Sequence, residues 1–140
     1  LVPRMQAAGA DLNIITAIEG VKVTEDGESW ITSPNLSDDL IAIREAVVST
    51  GSKLLIIDPI ISLMKGDSHR LEDVRKNLDP LHQMANDLGI SIVLVAHFSK
   101  GGGKASDKVS GSHAFRDIAR SLLVLAVDEE TDERILSVEK

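Results

Sequence analysis

Two aliphatic runs in this chain each end in a side chain that can handle charge. Leu54-Leu55-Ile56-Ile57 leads into Asp58, and Ile90-Ser91-Ile92-Val93-Leu94-Val95-Ala96 leads into His97. Continuous apolar runs of this kind mark strands of a parallel sheet buried on both faces, whereas alternation marks a strand with one wet face. Open α/β sheets bind their ligands at the carboxyl ends of such strands. A carboxylate placed there suits a magnesium ion beside a phosphate chain, because magnesium takes few carboxylates and keeps several waters. His97 puts a second polar side chain at such a strand end, and two together point to a site more strongly than one. The plain alternatives are a turn acid and a strand-end histidine bonded to backbone.

Other chemistries fare worse. His69, His82 and His113 lack metal-ligand spacing, and the absence of cysteine excludes disulfides and thiolate sites. Ser99, His97 and Asp58 supply the residue types of a hydrolytic triad, yet no Gly-x-Ser-x-Gly elbow presents a nucleophile. Gly101-Gly102-Gly103-Lys104-Ala105 has glycines and a lysine but lacks the Gly-Lys-(Ser/Thr) ending of a phosphate-cradling loop, and no helix follows at once.

The elements that must position Asp58 and His97 alternate along the chain. Residues 3–10 read as the end of a helix stopped at Gly9. Asn13 to Ile18 reads as a short strand. Val21–Thr24 and Ser29–Thr32 flank Asp26-Gly27, a strong hairpin signal. Ser37 is expected to cap a helix, with Asp38 and Asp39 at its positive end and Leu36, Leu40, Ile43 and Val47 as its stripe. Gly51 ends that helix, and the Asp58 strand follows. A loop with Lys65, Gly66, Asp67 and Ser68 precedes a helix carrying Leu71, Val74, Leu78, Leu81, Ala85 and Leu88 on one face. Pro80 predicts a kink there. After the His97 strand come a glycine- and lysine-rich loop to Gly111, a helix around Ser112–Arg120, and strands at Leu122–Val127 and Arg134–Val138. The short turn between the last two requires an antiparallel pair.

This order predicts an α/β fold: three layers, α/β/α, with a mostly parallel central sheet covered on both faces and an antiparallel C-terminal edge. Asp58 and His97 would then share one sheet edge on neighbouring or near-neighbouring strands. The 140 residues suffice for one domain. No apolar run approaches the ~20 residues of a membrane span, and no secretory leader opens the chain. A cytoplasmic protein is expected. The net charge of −7 makes the chain as a whole a poor polyanion binder, so nucleic-acid contact would need a local basic patch. Lys100, Lys104 and Lys108, with only Asp107 opposing them, make the Phe98–Ser110 loop that patch, and Gly101, Gly102 and Gly103 let backbone approach a phosphate chain.

The ordered motifs resemble a known superfamily. Leu54–Asp58 is similar to the Walker B strand of RecA-type P-loop ATPases, and Val93–Lys100 resembles the next strand, whose terminal polar residue senses the γ-phosphate. Gly111–Arg120 resembles the Gly-Ser-x-Ala helix after the DNA-binding loop, and Val74-Arg75-x-x-Leu78-x-Pro80-Leu81 the helix between the strands. The nearest branch is the RepA-like hexameric replicative helicases and primase-associated ATPases, and the likeness covers nearly the whole of residues 1–140 as a partial RecA-like domain. It implies a DNA-dependent ATPase or helicase motor using ATP and Mg2+, assembled as a homo-oligomeric, hexameric ring on single-stranded DNA.

The same resemblance implies residue roles. Asp58 holds the metal, His97 is the catalytic γ-phosphate sensor, and Arg75, Arg120 and Lys140 are candidate nucleotide contacts. Lys100, Gly101, Gly102, Gly103, Lys104 and Lys108 are the nucleic-acid contacts. One departure is decisive: the family's Gly-x-x-x-x-Gly-Lys-(Ser/Thr) loop does not occur in these residues, nor does its catalytic glutamate. Leu1-Val2-Pro3-Arg4 coincides with a protease-recognition tetrapeptide but runs smoothly into a helical stretch. The chain is therefore expected to be a piece of a longer protein, inactive alone. A non-catalytic RecA-like binding or assembly module is the alternative. An open sheet of this kind would expose apolar surface and self-associate or be sparingly soluble.

Overall fold

The computed structural model describes residues 1–97, 113–128 and 130–140. The expectations for Lys100, Gly101, Gly102, Gly103, Lys104 and Lys108 fall outside these residues. Helix α1 (Val2–Ala7) opens the chain, and Gly9 follows it with a φ of +76°. The strand expected at Asn13–Ile18 is not formed. Asp11 instead accepts a hydrogen bond from the Asn13 amide at 3.0 Å, and a short 3₁₀ turn covers Leu12–Ile14. That local bond offers the backbone a partner which no neighbouring strand offers among the described residues. Strands β1 (Val21–Glu25) and β2 (Glu28–Thr32) form the expected hairpin. Its two turn residues, Asp26 and Gly27, have φ of 51° and 83°, as a tight hairpin turn with left-handed central positions requires.

Helix α2 (Leu40–Thr50) starts later than expected. Ser37 does not cap it; Asp39 occupies the cap position without donating or accepting a capping bond there. The Asp39 carboxylate turns back to accept from the Asn35 amide at 2.7 Å, and Asn35 accepts from the Ser37 amide at 2.9 Å. Two side chains thus satisfy a turn ahead of the helix, and Ser37 is left free for a longer-range contact. Leu36, Ile43 and Val47 are buried as expected, and Gly51 ends the helix in the left-handed conformation.

Strands β3 (Leu54–Ile57) and β4 (Ser91–Leu94) are parallel neighbours, with Ile57 opposite Leu94. Helix α3 (Leu71–Leu88) connects them as one uninterrupted helix of 18 residues. The kink expected at Pro80 does not divide it, because Pro80 lies on the exposed side of α3, where water can take the bond that the ring removes. The core gathers Leu36, Ile43, Ile57, Ile60, Val74, Leu78, Leu81, Met84 and Phe115. Phe115 belongs to α4 (His113–Ile118), shorter than the expected helix to Arg120. Strands β5 (Leu123–Val127) and β6 (Arg134–Val138) are antiparallel, as their short turn demanded.

The chain is thus a mixed α/β structure with one small parallel and two small antiparallel sheets, each two-stranded among the described residues. Burial on both faces of β3 is not observed. Leu55 and Ile57 pack inward, while Leu54 and Ile56 are 50% and 58% exposed. The aliphatic run therefore exceeds what the core of these residues needs. The β5–β6 ribbon is similar: Leu125 and Leu136 face each other across it and are both more than half exposed. Replacing them together by Leu125→Lys and Leu136→Glu should leave stability within about 0.5 kcal/mol, since neither is buried. The same pair of changes should suppress concentration-dependent light scattering by removing apolar surface. A fall in Tm of several degrees would show that the pair is part of a core instead.

The β5–β6 turn has a defined charge. Asp128 accepts from the amides of Glu130 at 2.8 Å and Thr131 at 3.1 Å, which hold its carboxyl below the ordinary aspartate value of 3.8. A depressed folded-state pKa adds stability above the unfolded value, and that stability is lost as pH falls through the folded one. The turn should therefore stay ordered at neutral pH and loosen only below pH 3.8. Amide shifts of Glu130 and Thr131 followed by NMR should titrate with a midpoint below that of a free aspartate; a midpoint at or above it would remove these hydrogen bonds from the account.

Candidate active site

The end of β3 and the end of β4 are fastened to each other beyond the last ladder pair. The Val95 amide donates to the Ile57 carbonyl at 2.9 Å, and the Ile60 amide donates to the Val95 carbonyl at 2.9 Å. These bonds carry the parallel register past the strands and bring the next side chains together. Asp58 follows β3 directly, and His97 lies three residues beyond β4. Their side chains meet with His97 Nε2 at 3.8 Å from Asp58 Oδ1. This is a charge-pair distance, too long for a direct hydrogen bond. Both side chains are largely open to solvent, so a ligand can reach them. Sequence and structure agree on this edge, which is what a parallel pair with a helical crossover imposes.

The segment leaving Asp58 is tightly built. A 3₁₀ turn at Ile60–Leu63 buries Ile60 completely in the core. The Leu63 carbonyl accepts from the Leu36 amide at 2.8 Å. Asn77 on α3 then holds the chain after the turn. Its Oδ1 accepts from the Lys65 amide at 3.2 Å and from Ser37 Oγ at 3.3 Å, and its Nδ2 donates to the carbonyls of Lys65 at 3.0 Å and Asp73 at 2.7 Å. Every hydrogen-bonding group of this buried amide is engaged. The Lys65 ammonium also pairs with Asp38 across the surface. Gly66 has a φ of +92°, and a Cβ there would meet the Asp73 carboxylate, whose Oδ2 accepts from the Asp67 amide at 3.0 Å. The loop with Lys65, Gly66, Asp67 and Ser68 is therefore anchored at several points.

Sequence reasoning passed over Asn77. Its signal was nevertheless present: position 77 falls within the buried stripe of Val74, Leu78, Leu81 and Met84, where a polar residue needs partners.

Arg75 is on the exposed side of α3, and Arg120 is exposed beyond the end of α4. Lys140 caps α4, its Nζ donating to the carbonyls of Arg116 at 2.8 Å and Asp117 at 3.1 Å. A cation at that helix end satisfies two terminal carbonyls and the negative pole of the dipole. A concavity of about 280 Å³ lined by Glu25, Asp26, Glu28 and Trp30 belongs to the β1–β2 hairpin and contains neither Asp58 nor His97.

Among the described residues no three acids, histidines or cysteines gather as an all-protein metal cage. A lone accessible carboxylate is the donor set that suits magnesium, which completes its shell with water and phosphate oxygens. Asp58 fits that ion. The Gly-x-x-x-x-Gly-Lys-(Ser/Thr) loop that cradles phosphates does not occur in the sequence. An acid and an imidazole thus share the carboxyl edge of a parallel pair, where open α/β sheets bind their ligands. A family model for an AAA domain matches residues 1–103.

The chain belongs to the AAA domain family. No curated protein matches it. The matched stretch contains Asp58, His97 and the whole β3–α3–β4 unit, so the site lies within the shared part of the AAA domain. Membership gives the chain a P-loop NTPase-like, nucleotide-hydrolysing character, and AAA ATPase domains generally use ATP and Mg2+. None of its described helices is long and apolar enough to cross a membrane.

Proposed function

We propose that residues 1–140 are the metal- and γ-phosphate-reading part of a RecA-like ATPase core of the RepA-like hexameric helicase branch, a motor that acts on single-stranded DNA. The observation that supports this best is the pairing of Asp58 with His97 at 3.8 Å on the edge where a parallel βαβ unit presents its ligands. When bound, Mg2+ with ATP would neutralise charge on the β- and γ-phosphates. Asp58 would orient the ion through a water or directly. His97 would hydrogen-bond a γ-phosphoryl oxygen or the attacking water and pass the state of that group to the chain after it. Lys100, Lys104 and Lys108 would track the DNA backbone without reading its sequence. Six copies in a ring would multiply three weak lysine contacts into useful affinity.

The reading requires a phosphate-cradling loop from outside the sequence of residues 1–140. The test therefore has two arms. The 140-residue chain alone should bind Mg2+·ATP no tighter than about 1 mM, because one carboxylate and one imidazole leave the triphosphate without its backbone donors. The same residues joined to a phosphate-cradling loop should hydrolyse ATP, and single-stranded DNA should raise the rate. Hydrolysis indifferent to DNA would keep the ATPase and sink the helicase assignment. Absence of any turnover in the joined form would favour the non-catalytic assembly module.

A further inference from the structure

We draw no further inference here: the strongest candidate, the exposed aliphatic face of the β5–β6 ribbon formed by Leu123, Leu125, Val127, Leu136 and Val138, carries nothing because nothing in the structure shows what covers it.

Discussion

Asp58→Asn should lower Mg2+-dependent ATP turnover by about 10²–10³-fold in a form of the protein that carries a phosphate-cradling loop. The amide keeps the size of the side chain and removes the charge that attracts the metal. A bound ion supplies several kcal/mol of transition-state stabilisation, and each ~1.4 kcal/mol is a factor of ten in rate. The loss should be partly recovered at high magnesium concentration, since the amide oxygen remains a weak ligand. Stability should not follow. The Asp58 side chain is 59% exposed, and its neighbour His97 is more exposed still at 76%. A pair this open to water contributes little to folding. Turnover and Tm measured side by side separate the two effects. A variant that retains full turnover would remove Asp58 from the metal site. One that loses turnover only in step with Tm would make Asp58 a structural residue.

Asn77→Leu should be among the most destabilising single changes on α3, costing about 2–3 kcal/mol. Leucine matches asparagine closely in shape, so packing is not the cause. The change strips the Asn77 side chain from the Lys65 amide and carbonyl, while the Asp73 carbonyl keeps its helical bond and the Ser37 hydroxyl is exposed and can turn to water. A buried group left without a partner costs about 1–3 kcal/mol, and the outer ones recover some of this from solvent. Asn77→Asp should do no better. It keeps the acceptor but loses both donors and places a charge at a site only 2% exposed. Urea unfolding should show a lower midpoint with an unchanged slope for both variants. A shift under 0.5 kcal/mol for Asn77→Leu would mean that the 64–70 loop is held by its other contacts, such as Asp73 on the Asp67 amide.

Much of the local structure was legible because it is set by neighbours in the chain. Asp26-Gly27 specifies a hairpin through the backbone freedom of its two residues. Gly51 and Gly89 end α2 and α3 in the left-handed conformation, with φ of 64° and 60°. The helix starts were harder. A capping serine and a turn serine look alike, and at Ser37 the choice went to Asn35 and Asp39, which satisfy the turn between themselves. Asn13–Ile18 was misread for a related reason: β propensity acts only where a second strand is at hand, and the Asp11 side chain acts over two residues.

The sequence by itself determined which side chains could do chemistry and on which edge they belong. An aliphatic run ending in Asp58, a second ending in His97 and a helix-length crossover between them leave a parallel pair as the simple solution, and parallel strands end on the same side. Only the tertiary structure decided how closely the two side chains approach, because the 3.8 Å separation depends on the bonds of Val95 and Ile60 beyond the strands. It alone also revealed Asn77 as the residue that fixes the segment after Asp58, and the one-sided burial of β3. Those properties depend on which surfaces meet across many residues of sequence, and a pattern of hydrophobicity records that a side chain can be buried without recording what lies against it.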